Sequence, residues 1–314
     1  MALETLLHPS VIETADALRE QFESAQPFKH IVIDRFLNDA FCNDLMRGFP
    51  AFDLTHAVNE RGETGRKSAI PDLPRLGEPY ARFDALIRSR EFLDWTGRVT
   101  GIANLLYDPE YIGGGTHENL HGQDLDSHVD FNYHPQRHWH RRLNLIVFLN
   151  PQWHADWGGC LELLADPWTQ DGARPSTTVV PLANRAVIFE TNERSWHGFR
   201  RIELPSEAAG ISRRSIAVYF YTRERPATEV APSHGTFYVQ RPVSDRIQPG
   251  YTLAEQDVDE LRALVERRDA QIKFLYEREL EFSDALASVV QSRAFRLGHA
   301  LTWPARAAKK LLRG

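Results

Sequence analysis

The sequence predicts a mainly β fold with flanking helices, whose core is a double-stranded β-helix, or jelly roll. Short apolar runs between Gly, Pro, Asn and Asp fill residues 105–221, and they lack helical periodicity. Helical patterns precede this region, and a long heptad pattern follows it. The chain has 314 residues of which 42% are hydrophobic, enough for one large core and an appendage. A jelly roll is the economical choice because its two sheets enclose a cavity that is open at one mouth.

Helices are predicted around a single strand before the β-rich region. Apolar residues recur at helical spacing up to Pro27, so residues 1–27 are predicted as an N-terminal helix. Residues 28–34 alternate as a strand, Asn38 is placed to cap a second helix, and residues 80–99 predict a third.

The central domain is predicted to span residues 28–245, with helices supporting a β core. Its strands are predicted from apolar runs bounded by turn residues. These runs are 143–149, 161–164, 177–180, 186–189 and 215–221.

A heptad pattern predicts a coiled-coil-like helix over residues 251–291. Seam positions alternate spacings of four and three, and Arg268 and Glu279 interrupt an otherwise apolar series. We expect this helix to assemble the chain into a homo-oligomer; the alternative is a helix lying on the β domain. The seam residues are Ala254, Val258, Leu261, Val265, Arg268, Ile272, Leu275, Glu279, Phe282, Leu286 and Val289.

The last segment, residues 292–314, is a basic tail in which apolar and aromatic residues alternate with Lys and Arg. Such a tail suits the face of an anionic membrane, while no apolar stretch is long enough to span one. Two cysteines and the absence of a secretory signal predict a cytoplasmic protein, peripheral at the inner face of the cell membrane. The net charge of −6 and the lack of a binding-fold signature argue against nucleic acid.

His128, Asp130 and the distant His197 predict a metal site. On a strand, residues two apart project from one face, so the first two side chains can reach one ion. Two imidazoles and one carboxylate form the facial triad of non-haem Fe(II) sites, which leaves coordination positions open for a co-substrate and oxygen.

Arg213 and Ser215 share one face of the last apolar run and can together grip a carboxylate through several hydrogen bonds. An oxo-acid that chelates iron needs such a cation for its far carboxylate. Arg213 is preferred because small residues on its face leave room for a ligand. Arg214 takes the role if the register of the strand is shifted by one.

Residues 128–223 resemble the prolyl-4-hydroxylase-like branch of the 2-oxoglutarate- and Fe(II)-dependent dioxygenases, in the order and approximate spacing of six motifs. These are His-x-Asp at 128–130, Phe148-Leu149-Asn150, Gly158-Gly159-Cys160, Asn184-Arg185-Ala186, Trp196-His197-Gly198 and Arg213-Arg214-Ser215. The resemblance implies a jelly roll, iron on His128, Asp130 and His197, and the C5 carboxylate of 2-oxoglutarate on Arg213. It also implies O2 as co-substrate, with ascorbate as a candidate reductant.

The chain departs from this family at Phe148, where some relatives place a tyrosine that bonds 2-oxoglutarate. Asn144 or Tyr219 could substitute, and the sequence does not choose between them. Asn132 and Glu162 are expected near the iron, and the candidate substrate contacts are Asn132, Glu162 and Trp196.

A zinc-protease pattern, His-Glu-x-x-His at residues 117–121, needs a helix to bring its two imidazoles to one face. Glycines at 113–115 and 122 oppose a stable helix there, so we do not expect a zinc protease.

The leading hypothesis is a dioxygenase that hydroxylates an unidentified substrate, with protein prolyl or peptidyl hydroxylation as an alternative. Residues 292–304 resemble the C-terminal extension of bacterial enzymes that build surface polysaccharides, which favours a role in cell-surface glycan assembly. A further alternative is a non-catalytic jelly-roll protein that binds carbohydrate or acts as a scaffold. The complete triad and the arginine argue against it.

Overall fold

The computed structural model describes residues 3–52, 67–169, 175–244, 246–299 and 301–302. The chain divides into two compact units, Met1–Arg241 and Pro242–Gly314. All the predicted site residues lie in the first unit.

The described residues of the first unit form five α-helices: α1 Pro9–Glu13, α2 Ala15–Ser24, α3 Asp39–Arg47, α4 Glu78–Ile87 and α5 Arg90–Thr100. Asn38 caps α3 as predicted, because its side chain accepts the Ala40 N–H at 3.0 Å. The predicted N-terminal helix is broken at Thr14, and the helix predicted over 80–99 is broken near Ser89. There the Ser89 hydroxyl accepts the Phe92 N–H at 3.2 Å and starts a new helix.

Twelve strands within the described residues form two sheets in which every pairing is antiparallel. The larger sheet has the order β1-β9-β6-β11-β4-β2, with β3 also beside β11, and the smaller has the order β12-β5-β10-β7-β8. This architecture confirms the predicted jelly roll with flanking helices. The strands are β1 His30–Ile33, β2 Lys67–Ile70, β3 Leu106–Tyr107, β4 Gly115–Asn119, β5 Leu125–Val129, β6 His140–Phe148, β7 Leu161–Leu164, β8 Pro175–Val179, β9 Ala186–Glu190, β10 Trp196–Phe199, β11 Arg213–Thr222 and β12 Phe237–Val239.

The larger sheet buries one face against the helices and turns the other toward the smaller sheet. On β11, Ile216, Val218 and Phe220 join the core that contains the helices. Arg213 and Tyr219 therefore project from the opposite face, because side chains alternate along a strand. This alternation places polar groups between the two sheets, where the predicted site lies.

The second unit contains α6, Glu255–Gln291, a helix of 37 residues. The Asp257 carboxylate accepts the Ala254 N–H at 2.8 Å and caps its first turn. The predicted long helix is therefore present, while its pairing as a coiled coil stays a prediction. In the described part of the chain, no helix is long and apolar enough to cross a membrane. Of the predicted basic tail, residues 300 and 303–314 lie outside the described residues.

Candidate active site

The structure brings His128, Asp130 and His197 together on the side of the smaller sheet that faces the larger one. His128 on β5 lies opposite His197 on the neighbouring β10, and Asp130 follows directly after β5 ends. One ligand atom from each residue lies within 4.8 Å of the other two. The Asp130 carboxylate is 3.8 Å from His128 Nε2 and 3.6 Å from His197 Nε2. This spacing fits three ligands around one ion.

Both imidazoles are oriented by backbone carbonyls. His128 Nδ1 is 2.9 Å from the Asp126 carbonyl oxygen, and His197 Nδ1 is 2.9 Å from that of Ser195. A carbonyl only accepts, so each Nδ1 carries the proton and donates it. Each Nε2 is left as the ligand atom, which is how metal-binding histidines are commonly held. The donor set therefore fits a divalent metal.

A buried guanidinium holds the carboxylate of Asp130. Arg141 is 1% exposed, and its Nη2 lies 3.1 Å from Asp130 Oδ2. The Asn144 amide donates to the same oxygen at 2.8 Å, and its own oxygen accepts from Arg141 Nη2 at 2.8 Å. Burial raises the pKa of Asp130, but the charges of Arg141 and the two imidazoles outweigh this effect and hold it below its usual value. Asp130 is therefore an anion ready for a cation.

Arg213 lies between the sheets without an anionic partner in the described residues. Its Nε donates to the Gly159 carbonyl at 2.6 Å, and its guanidinium carbon lies 5.1 Å from the Phe148 ring centre and 4.4 Å from that of Phe199. Burial lowers the pKa of Arg213 to about 10, so the group remains charged at neutral pH. A buried cation lined by aromatic rings is a site for a carboxylate ligand.

Arg214 projects from the other face of β11. Its Nε donates to Glu118 at 3.1 Å and to the Ser212 hydroxyl at 2.9 Å, and its guanidinium lies over Phe49. The structure therefore places Arg213, and not Arg214, on the side of the three-residue cluster.

Residues 115–221, about a third of the chain, match the 2OG-Fe(II) oxygenase superfamily. This segment is a 2OG-Fe(II) oxygenase domain. It contains His128, Asp130, His197 and Arg213, and enzymes of this superfamily use Fe(II), 2-oxoglutarate and O2. Three of the motifs that the sequence analysis singled out, at residues 128–130, 196–198 and 213–215, thus fall inside the matched segment.

Prolyl hydroxylases are among the relatives of the oxygenase domain. The chain is 26% identical over 223 residues to mouse prolyl 3-hydroxylase OGFOD1, a match that covers 66% of this chain and 35% of that protein. The chain thus aligns with about a third of the length of this curated relative.

Solved structures with a similar fold include a prolyl hydroxylase from Trichoplax adhaerens in complex with a hypoxia-inducible-factor peptide. It is 14% identical with a TM-score of 0.46, and the match covers 68% of this chain and 90% of that one. HygX from Streptomyces hygroscopicus, with nickel, 2-oxoglutarate and hygromycin B bound, is 16% identical with a TM-score of 0.45. This match covers 71% of this chain and 97% of that one.

The other predicted 2-oxoglutarate contacts of the oxygenase domain also lie between the sheets. Ser215 is buried two residues from Arg213 on the same face of β11. The Asn144 side chain is hydrogen-bonded to Asp130 and Arg141. The Tyr219 hydroxyl donates to the Gly113 carbonyl at 2.8 Å. Their roles toward 2-oxoglutarate stay predictions.

Of the candidate substrate contacts, Asn132 lies two residues after Asp130. Its amide donates to the Pro232 carbonyl at 2.8 Å, and its oxygen accepts the His234 N–H at 3.0 Å. Asn132 thus ties the segment before β12 to the end of β5.

The structure places Glu162 on the outer face of the smaller sheet, contrary to the expectation that it lies near the iron, and it places the candidate substrate contact Trp196 on the same face. Trp196 precedes His197 on a strand and so projects from the opposite face, where it packs with Val129 and Leu164. Glu162 lies opposite Gly198 on that same outer face. There it forms ion pairs with Arg200 at 2.7 Å and Arg241 at 2.8 Å.

Two residues beside the cluster were missed by sequence reasoning. Tyr238 on β12 lies opposite His128, with ring centres 5.1 Å apart, so an aromatic surface borders the site. Arg141 was also missed, although an arginine that begins an apolar strand just after His-x-Asp is a signal that a buried partner exists.

A second group of potential ligands, Asp108, Glu110 and His134, forms an internal hydrogen-bond cluster. His134 Nδ1 accepts the N–H groups of Gln136 and Arg137, both at 3.3 Å, so Nε2 carries the proton. That proton is directed at the two carboxylates, each 3.2 Å away. Residues 115–119 form strand β4, so the zinc-protease pattern that begins at His117 lacks the helix that its chemistry requires.

Proposed function

We propose that the protein holds Fe(II) through His128, Asp130 and His197, binds 2-oxoglutarate at Arg213, and hydroxylates a substrate with O2. The observation that supports this most directly is the convergence of three ligand atoms within 4.8 Å of one another. Bound iron, together with 2-oxoglutarate and O2, supplies the oxidising power.

The residues of this chain bind and position the reactants. Arg213, assisted by Ser215, binds the far carboxylate of 2-oxoglutarate through charge-assisted hydrogen bonds. Phe148 and Phe199 exclude water from that ion pair, which strengthens it. Arg141 fixes the orientation of Asp130, so that the carboxylate meets the metal without first reorganising.

We propose that the substrate is a cell-surface glycan or its precursor, and that the protein is located at the inner face of the cell membrane. Three features support this proposal: the resemblance of residues 292–304 to extensions of polysaccharide enzymes, the basic tail, and the aromatic ring of Tyr238 beside the cluster. An aromatic ring next to a reactive centre suits stacking on a sugar.

Prolyl or peptidyl hydroxylation is the second candidate. It is favoured by the similarity to mouse OGFOD1, a prolyl 3-hydroxylase.

The reaction class is tested by reconstituting the full chain anaerobically with Fe(II), adding 2-oxoglutarate and air, and measuring succinate. We expect one iron per chain and slow succinate formation without substrate, both lost in His128→Ala. Failure of the native chain to bind iron or form succinate would favour the non-catalytic scaffold.

The substrate class is tested by supplying sugar nucleotides, lipid-linked glycans and proline-containing peptides to the same preparation. Mass spectrometry then detects the gain of one oxygen atom. Oxygen on a glycan, with faster succinate release, supports the leading proposal. Oxygen on a peptide proline would instead contradict the glycan proposal and support prolyl hydroxylation.

A further inference from the structure

Helix α6 presents an exposed apolar seam. Its heptad positions include Val265, Ile272, Phe282 and Leu286, whose exposures are 57%, 64%, 61% and 64%. Exposing four large apolar side chains on one stripe is unfavourable in water, so a partner is expected to cover them.

The order of residues along this seam is self-complementary in the antiparallel direction. In an antiparallel coiled coil of two identical helices, each seam residue faces the one equally distant from the two-fold axis. With the axis between Lys273 and Phe274, every apolar seam residue from Val258 onward faces another apolar residue. The facing pairs are Val258 with Val289, Leu261 with Leu286, Val265 with Phe282, and Ile272 with Leu275.

The two charges that interrupt the seam then face each other. Arg268 and Glu279 lie equally far from the same axis, so each arginine meets the glutamate of the other helix, twice in the pair. In a parallel, in-register pair each would face its own copy, and two buried like charges would repel. The interruptions therefore select one direction of pairing.

The positions that flank the seam agree with this register. Asp269 and Tyr276 each directly follow a seam residue, and Gln271 and Arg278 each directly precede one. In this register Asp269 lies near Tyr276 of the second helix, and Gln271 lies near Arg278. Neither pairing brings like charges together.

We propose that α6 binds α6 of a second copy of this chain as an antiparallel coiled coil, in the register that pairs Arg268 with Glu279 of the partner subunit. This assembly is independent of the proposed substrate and reaction. A helix of 37 residues is about 55 Å long, so the two α6 N-termini, each preceded by an oxygenase domain, lie at opposite ends of the pair.

Charge reversal in the full-length protein tests the register. We expect sedimentation equilibrium to give a dimer whose dissociation constant rises at least about tenfold in Arg268→Glu or in Glu279→Arg, because each places like charges face to face. The double variant restores native affinity, since the pair is only exchanged. Arg267→Glu makes the same charge change one residue away from the seam, and leaves the dimer unchanged.

A monomer at tens of micromolar overturns the proposal, as does a double variant no tighter than the single variants. Circular dichroism of each variant checks that α6 remains helical. Loss of helix only in the weakened single variants, recovered in the double variant, also supports pairing.

Distances between spin labels test the direction independently. Labels at Ala270→Cys and Asp284→Cys in the full chain are separated along an antiparallel pair by roughly 10 Å and 30 Å, respectively. In a parallel pair the two positions give equal, short distances, which overturns the proposal. The native Cys42 and Cys160 are buried, and an unsubstituted chain taken through the same labelling gives their background.

Discussion

Arg141 and Asn144 restrain Asp130 before any metal arrives. Asn144 donates a hydrogen bond to one carboxylate oxygen, and Arg141 forms an ion pair with the same oxygen. The Arg141 guanidinium carbon lies 3.6 Å from the Tyr219 ring centre, which fixes the plane of the guanidinium. Removing a group that orients a metal ligand commonly lowers metal affinity about 10- to 100-fold. We therefore expect Arg141→Gln to weaken Co(II) binding, measured by calorimetry, by about that factor.

The matched control is Arg137→Gln, which removes a nearby guanidinium that pairs with Glu110 instead. We expect Co(II) affinity to be unchanged there. Equal losses in both variants, or unchanged affinity in Arg141→Gln with an unaltered melting temperature, would show that Arg141 does not position Asp130.

A second prediction concerns the role of Arg213 in binding 2-oxoglutarate. Arg213→Ala removes a buried cation whose hydrogen bonds to a carboxylate are charge-assisted, so the KM for 2-oxoglutarate rises at least about tenfold. Arg214→Ala is the control, because Arg214 pairs with Glu118 on the opposite face of the sheet. Initial rates of succinate formation check both variants. A larger effect in Arg214→Ala would mean that the two faces of β11 are misassigned.

The sequence predicts residues better when their partners are close along the chain or recur as motifs. His128 and Asp130 follow from strand alternation. Tyr238 could not be predicted, because its place beside His128 depends on β12 pairing with β5 across more than a hundred residues. Trp196 was a candidate substrate contact, although its position next to His197 on a strand places its side chain on the opposite face.

Between strands β5 and β10, Gly198 sets the spacing of the two histidines. The register shifts between His197 and Phe199, and a Cβ at Gly198 would lie 2.6 Å from the Leu125 carbonyl oxygen and 3.0 Å from that of Asp126. Backbone atoms at such distances cannot be accommodated without separating the strands.

We expect Gly198→Ala to destabilise the protein by ~1–3 kcal/mol and to weaken Co(II) binding as His197 moves from His128. Thermal unfolding and calorimetry measure the two effects. Gly235→Ala is the control, since its added Cβ meets nothing within 4 Å and should change neither quantity. Native Co(II) affinity in Gly198→Ala would show that the strand spacing is not what places the histidines.

Elements with strong internal patterns were predictable, and those defined by partners were not. The apolar runs at 143–149 and 186–189 appear as β6 and β9 because burial on both faces requires continuous apolar sequence. Short edge strands such as β2 and β12 lack that pattern and exist through pairing with β4 and β5. The helix break near Ser89 was missed because apolar spacing continues through it.

In the whole molecule, the residues proposed for catalysis and those proposed for assembly lie in different parts of the chain. The proposed metal and 2-oxoglutarate residues all lie before residue 242, whereas the heptad seam and the basic tail lie after it. A chain ending at Tyr251 should therefore keep succinate formation on 2-oxoglutarate while losing both the α6 pairing and the proposed membrane contact.

A second truncation separates the tail from the helix. A chain ending at Gln291 keeps α6, so we expect it to remain a dimer but to move from the membrane fraction to the soluble fraction. The reason is that Lys and Arg interleaved with apolar residues bind anionic lipid through charge and burial together. Sedimentation with anionic and neutral vesicles measures the contact, and salt should weaken only the anionic case. If the chain ending at Gln291 still sediments with anionic vesicles as the full chain does, the tail is not the anchor.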